Sequence, residues 1–186
     1  TIIGLNNGSV SCSGDNNSGS KIIVNIISSF VSEINGYDGF EFNLYATEVY
    51  NDFNISNGQV KGCTFSTLYV NADYNNLQMG ADTVKIMGNI GNKIQWYNNE
   101  HYFHIYNNIL TNDNQDDDCI YIQQRRTESG GTNSISNNAL QTSAYYQMGI
   151  NFQDCTNDGQ NIVIANNFIQ CYDSYQSYNI YSNCAI

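Results

Sequence analysis

The chain has 186 residues, no Pro, 15 Tyr and a net charge of −11 with only six Lys plus Arg. Nucleic-acid binding and attraction to anionic lipid both need basic side chains in number, so neither fits this composition. No apolar run approaches the roughly 20 residues of a membrane span, and the many aromatic and β-branched residues argue against a disordered chain.

Residues 1–37 read as an N-terminal coil or irregular lead-in, in which Ile22-Ile-Val24 is a candidate strand. From residue 38 to residue 186 two phrases recur. The first is an apolar residue, a gap and a polar pair rich in Asn: Ile55-Ser-Asn-Gly58, Ile86-Met-Gly-Asn89, Ile105-Tyr-Asn-Asn108, Ile135-Ser-Asn-Asn138 and Ile164-Ala-Asn-Asn167. The second is Phe40-Glu-Phe42, Leu68-Tyr-Val70, Ile94-Gln-Trp96, Ile120-Tyr-Ile122, Ile150-Asn-Phe152 and Ile180-Tyr-Ser182. Its steps are 28, 26, 26, 30 and 30 residues. A period of this length marks stacked units that share one core.

Within the second phrase apolar and other residues alternate, which is the period of a strand with one buried face. The first phrase begins as a short strand and ends at Asn, which tolerates a left-handed turn. Each unit therefore holds at least two short strands joined by tight turns. If one unit is one coil, equivalent strands stack about 4.8 Å apart and equivalent side chains form columns. Phe40, Leu68, Ile94, Ile120, Ile150 and Ile180 are expected in one inward column. Asn89, Asn108, Asn138 and Asn167 are expected to form an amide ladder at a bend, satisfying backbone groups there.

The repeated I-x-N-N-x-I and D-x-x-I-Y-I phrases resemble those of right-handed parallel β-helix proteins of the pectin-lyase-like superfamily. The resemblance implies an all-β solenoid of about six coils of 26–30 residues. The final phrase stops within a unit, so the coils are expected to belong to a longer chain. Asp116-Asp-Asp-Cys119 is similar to the D-D-C element of polygalacturonase-like glycoside hydrolases, which implies Asp117 and Asp118 as catalytic carboxylates. The N-T-D, G-H-G and R-I-K elements of that family have no counterpart here.

On the residues themselves, crowded carboxylates raise one another's pKa, as acid–base work on a glycosidic bond requires. The plain alternative is a solvated acidic turn, with or without a calcium ion held by Asp113, Asp116 and Asp117. No cofactor is otherwise expected. Arg125 and Arg126 are expected to pair with the acidic run, and His104 to point outward as a structural residue. No cysteine pair has C-x-x-C spacing. Cys155 and Cys184 lie one repeat apart and are the candidate disulfide; the alternative is buried thiols in the core.

The outward positions of the second phrase form two further columns, with Glu41, Tyr69, Gln95, Tyr121, Asn151 and Tyr181 in one and Asn43, Asn71, Tyr97, Gln123, Gln153 and Asn183 in the next. Flat rings beside amide donors and acceptors suit sugar rings and hydroxyls. The leading expectation is a non-catalytic scaffold, extracellular or on a cell or virion surface, such as a fibre, adhesin or spike segment. Its partners are then a polysaccharide along one face and further copies or coils at its open ends. A polysaccharide-cleaving hydrolase or lyase is the second reading. An ice- or mineral-binding solenoid is the third, for which Thr is too scattered.

Overall fold

The computed structural model describes residues 1–12, 22–36, 40–71, 83–97, 102–113, 118–123, 132–143, 148–153, 161–171 and 178–182. The described residues fold as strands and their connecting bends. The first nine strands are β1 (Ile2–Ile3), β2 (Asn6–Cys12), β3 (Ile22–Ile27), β4 (Phe30–Gly36), β5 (Phe40–Tyr45), β6 (Glu48–Ile55), β7 (Asn57–Lys61), β8 (Thr64–Asn71) and β9 (Thr83–Met87). Next come β10 (Ile90–Tyr97), β11 (Tyr102–Tyr106), β12 (Ile109–Asn112), β13 (Ile120–Gln123) and β14 (Thr132–Ser136). The chain continues through β15 (Ala139–Thr142), β16 (Met148–Gln153), β17 (Asn161–Ala165), β18 (Phe168–Cys171) and β19 (Tyr178–Ser182).

These strands build two parallel sheets. The first runs β1-β3-β5-β7-β9-β11-β14-β17, and the second holds the other 11 strands. Up to β10 the chain alternates strictly between the sheets, so each first-sheet strand and the strand after it form one rung. That order is compatible with a parallel β-helix. Strands β1 to β4 belong to the same two sheets, so the stacking already includes these four strands.

The core lies between the sheets. In the first sheet Ile26, Leu44, Val60, Ile86, Ile105 and Ile135 follow one another in register, each fully buried. Facing them, Ile34, Phe53, Leu68, Ile94, Ile120 and Ile150 do the same. Trp96 reaches Phe103 across the core, edge to face at 5.2 Å. Burying such a column stabilises each rung by roughly 1.5–3 kcal/mol per large side chain.

Phe40 is not in the second-sheet column. It lies on β5 of the first sheet, opposite Ile22, and Phe53 occupies the place expected for it. The early rungs are shorter, Phe53 to Leu68 being 15 positions against 30 from Ile120 to Ile150. Ile55-Ser-Asn-Gly58 is also displaced, forming the opposite corner, where β6 passes directly into β7. Gly58 has φ +127° there, and a Cβ would run into the carbonyl of Phe42.

At the passage from first to second sheet one residue of each rung has left-handed backbone: Gly4, Ser28, Ala46, Gly62, Gly88, Asn107, Asn137 and Asn166, with φ from 47° to 67°. Gly and Asn pay the least for this conformation. The next residue carries the ladder. Asn89, Asn108 and Asn138 are buried. Each donates through its backbone N–H and its Nδ2 to the Oδ1 of the Asn one rung on, at 2.9 to 3.1 Å. Each Nδ2 also reaches back to a carbonyl of the preceding rung: Val60, Ile86 or Ile105. In the early rungs Ser29 and Thr47 satisfy the corner with hydroxyls instead.

The second sheet forks at β10. Gly91 pairs with Leu110 on β12, while Ile94, three positions on, pairs with Ile120 on β13. Leu110 and Ile120 are ten positions apart, so from this rung onward an extra segment separates the two halves of the second sheet. The candidate site runs from β8 and β10 onto the half formed by β13, β16 and β19.

Candidate functional site

Alternation along the strands decides which side chains leave the core. Ile94 and Trp96 point inward and are fully buried, so Gln95 and Tyr97 point outward. The same parity puts Tyr69 between Leu68 and Val70, and Tyr121 and Gln123 beside Ile120 and Ile122. The ladder then fixes the columns. Tyr69, Gln95, Tyr121, Asn151 and Tyr181 are consecutive register partners, and so are Asn71, Tyr97, Gln123 and Gln153.

Tyr69, Gln95, Tyr97, Tyr121, Gln123 and Gln153 are all half-buried. Each is therefore partly accessible on the outer side of the sheet. Tyr97 and Tyr121 are diagonal neighbours, with ring centroids 5.3 Å apart and planes inclined at 47°. Such a pair offers a tilted aromatic surface with amide groups above and below it, at a strand spacing of about 4.8 Å.

The face extends beyond the residues expected on it. Asn54 is the register partner of Tyr69, and Asn35 is that of Asn54. Asn54 Nδ2 donates to Asn35 Oδ1 at 2.8 Å, and Asn35 in turn donates to Glu33. The shortened early steps hid both residues, because a constant period pointed to Glu41 and Asn43 instead. Those two lie on β5 in the other sheet, with Asn43 Nδ2 bonded to Asn25 and Glu41.

Asn151 is in the predicted column but is not part of the accessible face, being only 4% exposed. Its Nδ2 donates to Asp118 Oδ2 at 2.7 Å, and its Oδ1 has no partner among the described residues. Tyr181 has the predicted register place opposite Asn151.

Asp118, expected as a catalytic carboxylate, is buried. Its Oδ1 accepts the backbone N–H of Met148 at 2.9 Å while Oδ2 takes Asn151. Both oxygens thus tie one rung to the next. Asp118's own carbonyl accepts Asn112 Nδ2, which ties the residue before Cys119 to the end of β12. Asp113, offered above as a calcium ligand, is exposed, and its carboxylate accepts the hydroxyl of Ser143. Asp116 and Asp117, Arg125 and Arg126, and Cys155 and Cys184 lie outside the described residues. Among the described residues no three His, Cys, Asp or Glu side chains cluster as a metal site would need.

Cys119 is fully buried in the core, its Sγ donating to Gln141 O at 3.3 Å, and burial pushes its thiol pKa up to about 12. Burial likewise pushes Cys63 up to about 11. His104 sits outward on the first sheet, Nδ1 lying 3.0 Å from Ser134 Oγ, and burial followed by the charge of Lys85 lowers its pKa. No helix among the described residues is long and apolar enough to cross a membrane.

Comparison with known proteins returns no matching family model, no similar curated protein and no similar solved structure.

Proposed function

We propose that the chain is a right-handed parallel β-helix of the pectin-lyase-like type. Its function is that of a non-catalytic, surface-exposed scaffold that binds polysaccharide along the outer face of its forked sheet. Right-handed winding is supported by the strong preference for right-handed crossovers between parallel strands of one sheet. The observation that carries the function is the pair of adjoining columns, Tyr69–Gln95–Tyr121 and Tyr97–Gln123–Gln153, with Asn54 and Asn35 continuing the first.

Three properties suit a glycan. The rings supply flat apolar contact for sugar C–H faces, and the amides supply donors and acceptors for hydroxyls. The side chains stand on strands bonded on both sides, so little ordering is left to do on binding. The repeat along the stack matches an elongated ligand better than a compact one. A hydrolytic role for Asp118 is disfavoured because its carboxylate is buried and engaged by Met148 and Asn151. A fibre, adhesin or spike segment outside the cell is the setting this reading implies.

The test is affinity electrophoresis of the intact chain through gels containing neutral and acidic polysaccharides. At least one polymer is expected to retard the chain, and Tyr97→Ala with Tyr121→Ala together to weaken that retardation about tenfold. His104→Ala, on the other sheet, is expected to leave it unchanged. Retardation by no polymer, or retardation indifferent to the two tyrosines, contradicts the proposal. Release of reducing ends or unsaturated sugars from any polymer would favour the enzyme reading instead.

A further inference from the structure

The two outward columns, from Asn35 to Tyr121 and from Asn71 to Gln153, consist of Tyr, Asn and Gln alone. The charge around them has one sign. The chain carries 17 Asp plus Glu against six Lys plus Arg. Of the described lysines, Lys61 and Lys85 stand exposed on β7 and β9, in the other sheet. Lys93, on β10 of this sheet, is only 7% exposed. Carboxylates border the columns at both ends. Glu33 accepts from Asn35, and Asp118 accepts from Asn151, the register partner that follows Tyr121.

We infer that the ligand of this face is a neutral polysaccharide, an uncharged glucan, xylan or mannan in chemical type. A polymer bearing carboxylate or sulfate groups meets a negative field here, and no side chain in the columns offsets it. A polymer bearing ammonium groups finds no carboxylate held out toward it. Asp118 is buried with both oxygens accepting from the next rung, and Glu33 is bonded to Asn35.

Hydroxyls and C–H faces are what such a surface can recognise. Each Asn or Gln amide offers two donors and an acceptor, which suits a hydroxyl that both gives and takes a hydrogen bond. The Tyr rings cover the flat side of a sugar without needing charge. Discrimination between polymers of one backbone then comes from the repulsion of charged substituents. The inference rests on the glycan reading and adds the charge class of the ligand to it.

The test runs the full chain through gels cast with a neutral glucan, xylan or mannan, with the same backbones carboxymethylated or hydroxyethylated, and with a polymer of glucosamine. At least one neutral backbone is expected to retard the chain, and its carboxymethylated form to do so about tenfold more weakly. Its hydroxyethylated form, which adds bulk without charge, is expected to keep most of the retardation. Binding of the neutral backbone is expected to hold within about twofold between about 0.01 M and about 1 M salt. Gln95→Lys, which places one cation in the columns, is expected to strengthen binding of the carboxymethylated polymer about fivefold, a gain lost at high salt. Stronger retardation by a carboxymethylated or glucosamine polymer, abolished by Tyr97→Ala with Tyr121→Ala, overturns the inference and leaves the glycan reading standing. Equal weakening by hydroxyethyl and carboxymethyl groups also overturns it, because bulk and not charge then decides. Retardation by no polymer overturns both.

Discussion

Asn138 Oδ1 accepts two hydrogen bonds from Asn108, one from its backbone N–H at 3.0 Å and one from its Nδ2 at 2.9 Å. One side-chain atom thus anchors both the backbone and the side chain of the rung before it. Asn108→Leu removes the corresponding pair made to Asn89 and leaves a buried corner with unpaired donors. The expected loss is about 3 kcal/mol, seen as a lower midpoint in chemical denaturation. Ser29→Ala, which removes a single hydroxyl at the equivalent early corner, is expected to cost about 1 kcal/mol.

The left-handed turns predict a different ordering. Asn137 has φ 55°, so Asn137→Val forces a β-branched side chain into that region and is expected to destabilise by about 2 kcal/mol. Asn137→Gly should change stability by well under half as much. Gly58→Ala should exceed both, because the new methyl meets the Phe42 carbonyl oxygen and not a side chain that can turn aside. Emission from Trp96, the chain's one tryptophan and fully buried, reports loss of the core in each case.

Asp118→Asn separates structure from catalysis. The substituted amide can keep one acceptor but turns an NH2 toward either Met148 N–H or Asn151 Nδ2, both of which donate. Stability is expected to fall by roughly 1–3 kcal/mol, with polysaccharide retardation in the gel retained. Equal stability with lost cleavage of a polymer would instead identify Asp118 as a working acid or base.

The buried thiols give the pH dependence. Cys63 and Cys119 have pKa values raised by burial to about 11 and about 12. The unfolded chain releases these protons first, near the ordinary thiol value of 9.0, so their contribution to stability is intact below that pH. It is lost progressively as pH rises from there through 11 and 12. Alkylation at pH 8 is expected to leave both thiols unmodified in the native chain and to modify them once denaturant is added, which mass spectrometry of the peptides reads directly.

Much of the chain from Leu68 onward was legible in its sequence. The register of Ile120, Ile150 and Ile180, the outward columns from Tyr69 to Gln153 and the ladder from Asn89 to Asn167 follow from a steady repeat with alternating parity. The rungs before Leu68 were not legible in the same way. Phe40-Glu-Phe42 alternates as well as Leu68-Tyr-Val70 does, and parity alone does not say which sheet a strand joins. With steps as short as 15 positions, the repeat changes length just where Asn35 and Asn54 extend the face. The burial of Asn151 was hidden for another reason: it depends on Asp118, a residue 33 positions away that comes close only after the rungs stack.

The most direct measurement is a titration of isotope-labelled chain with the polysaccharide that retards it, followed through the backbone and side-chain amide resonances. Shifts concentrated at Tyr69, Gln95, Tyr97, Tyr121, Gln123 and Gln153, with Lys85, His104 and Ser134 on the opposite sheet undisturbed, are the predicted result. Shifts centred on the first sheet, or none on the tyrosine columns at saturation, contradict the account.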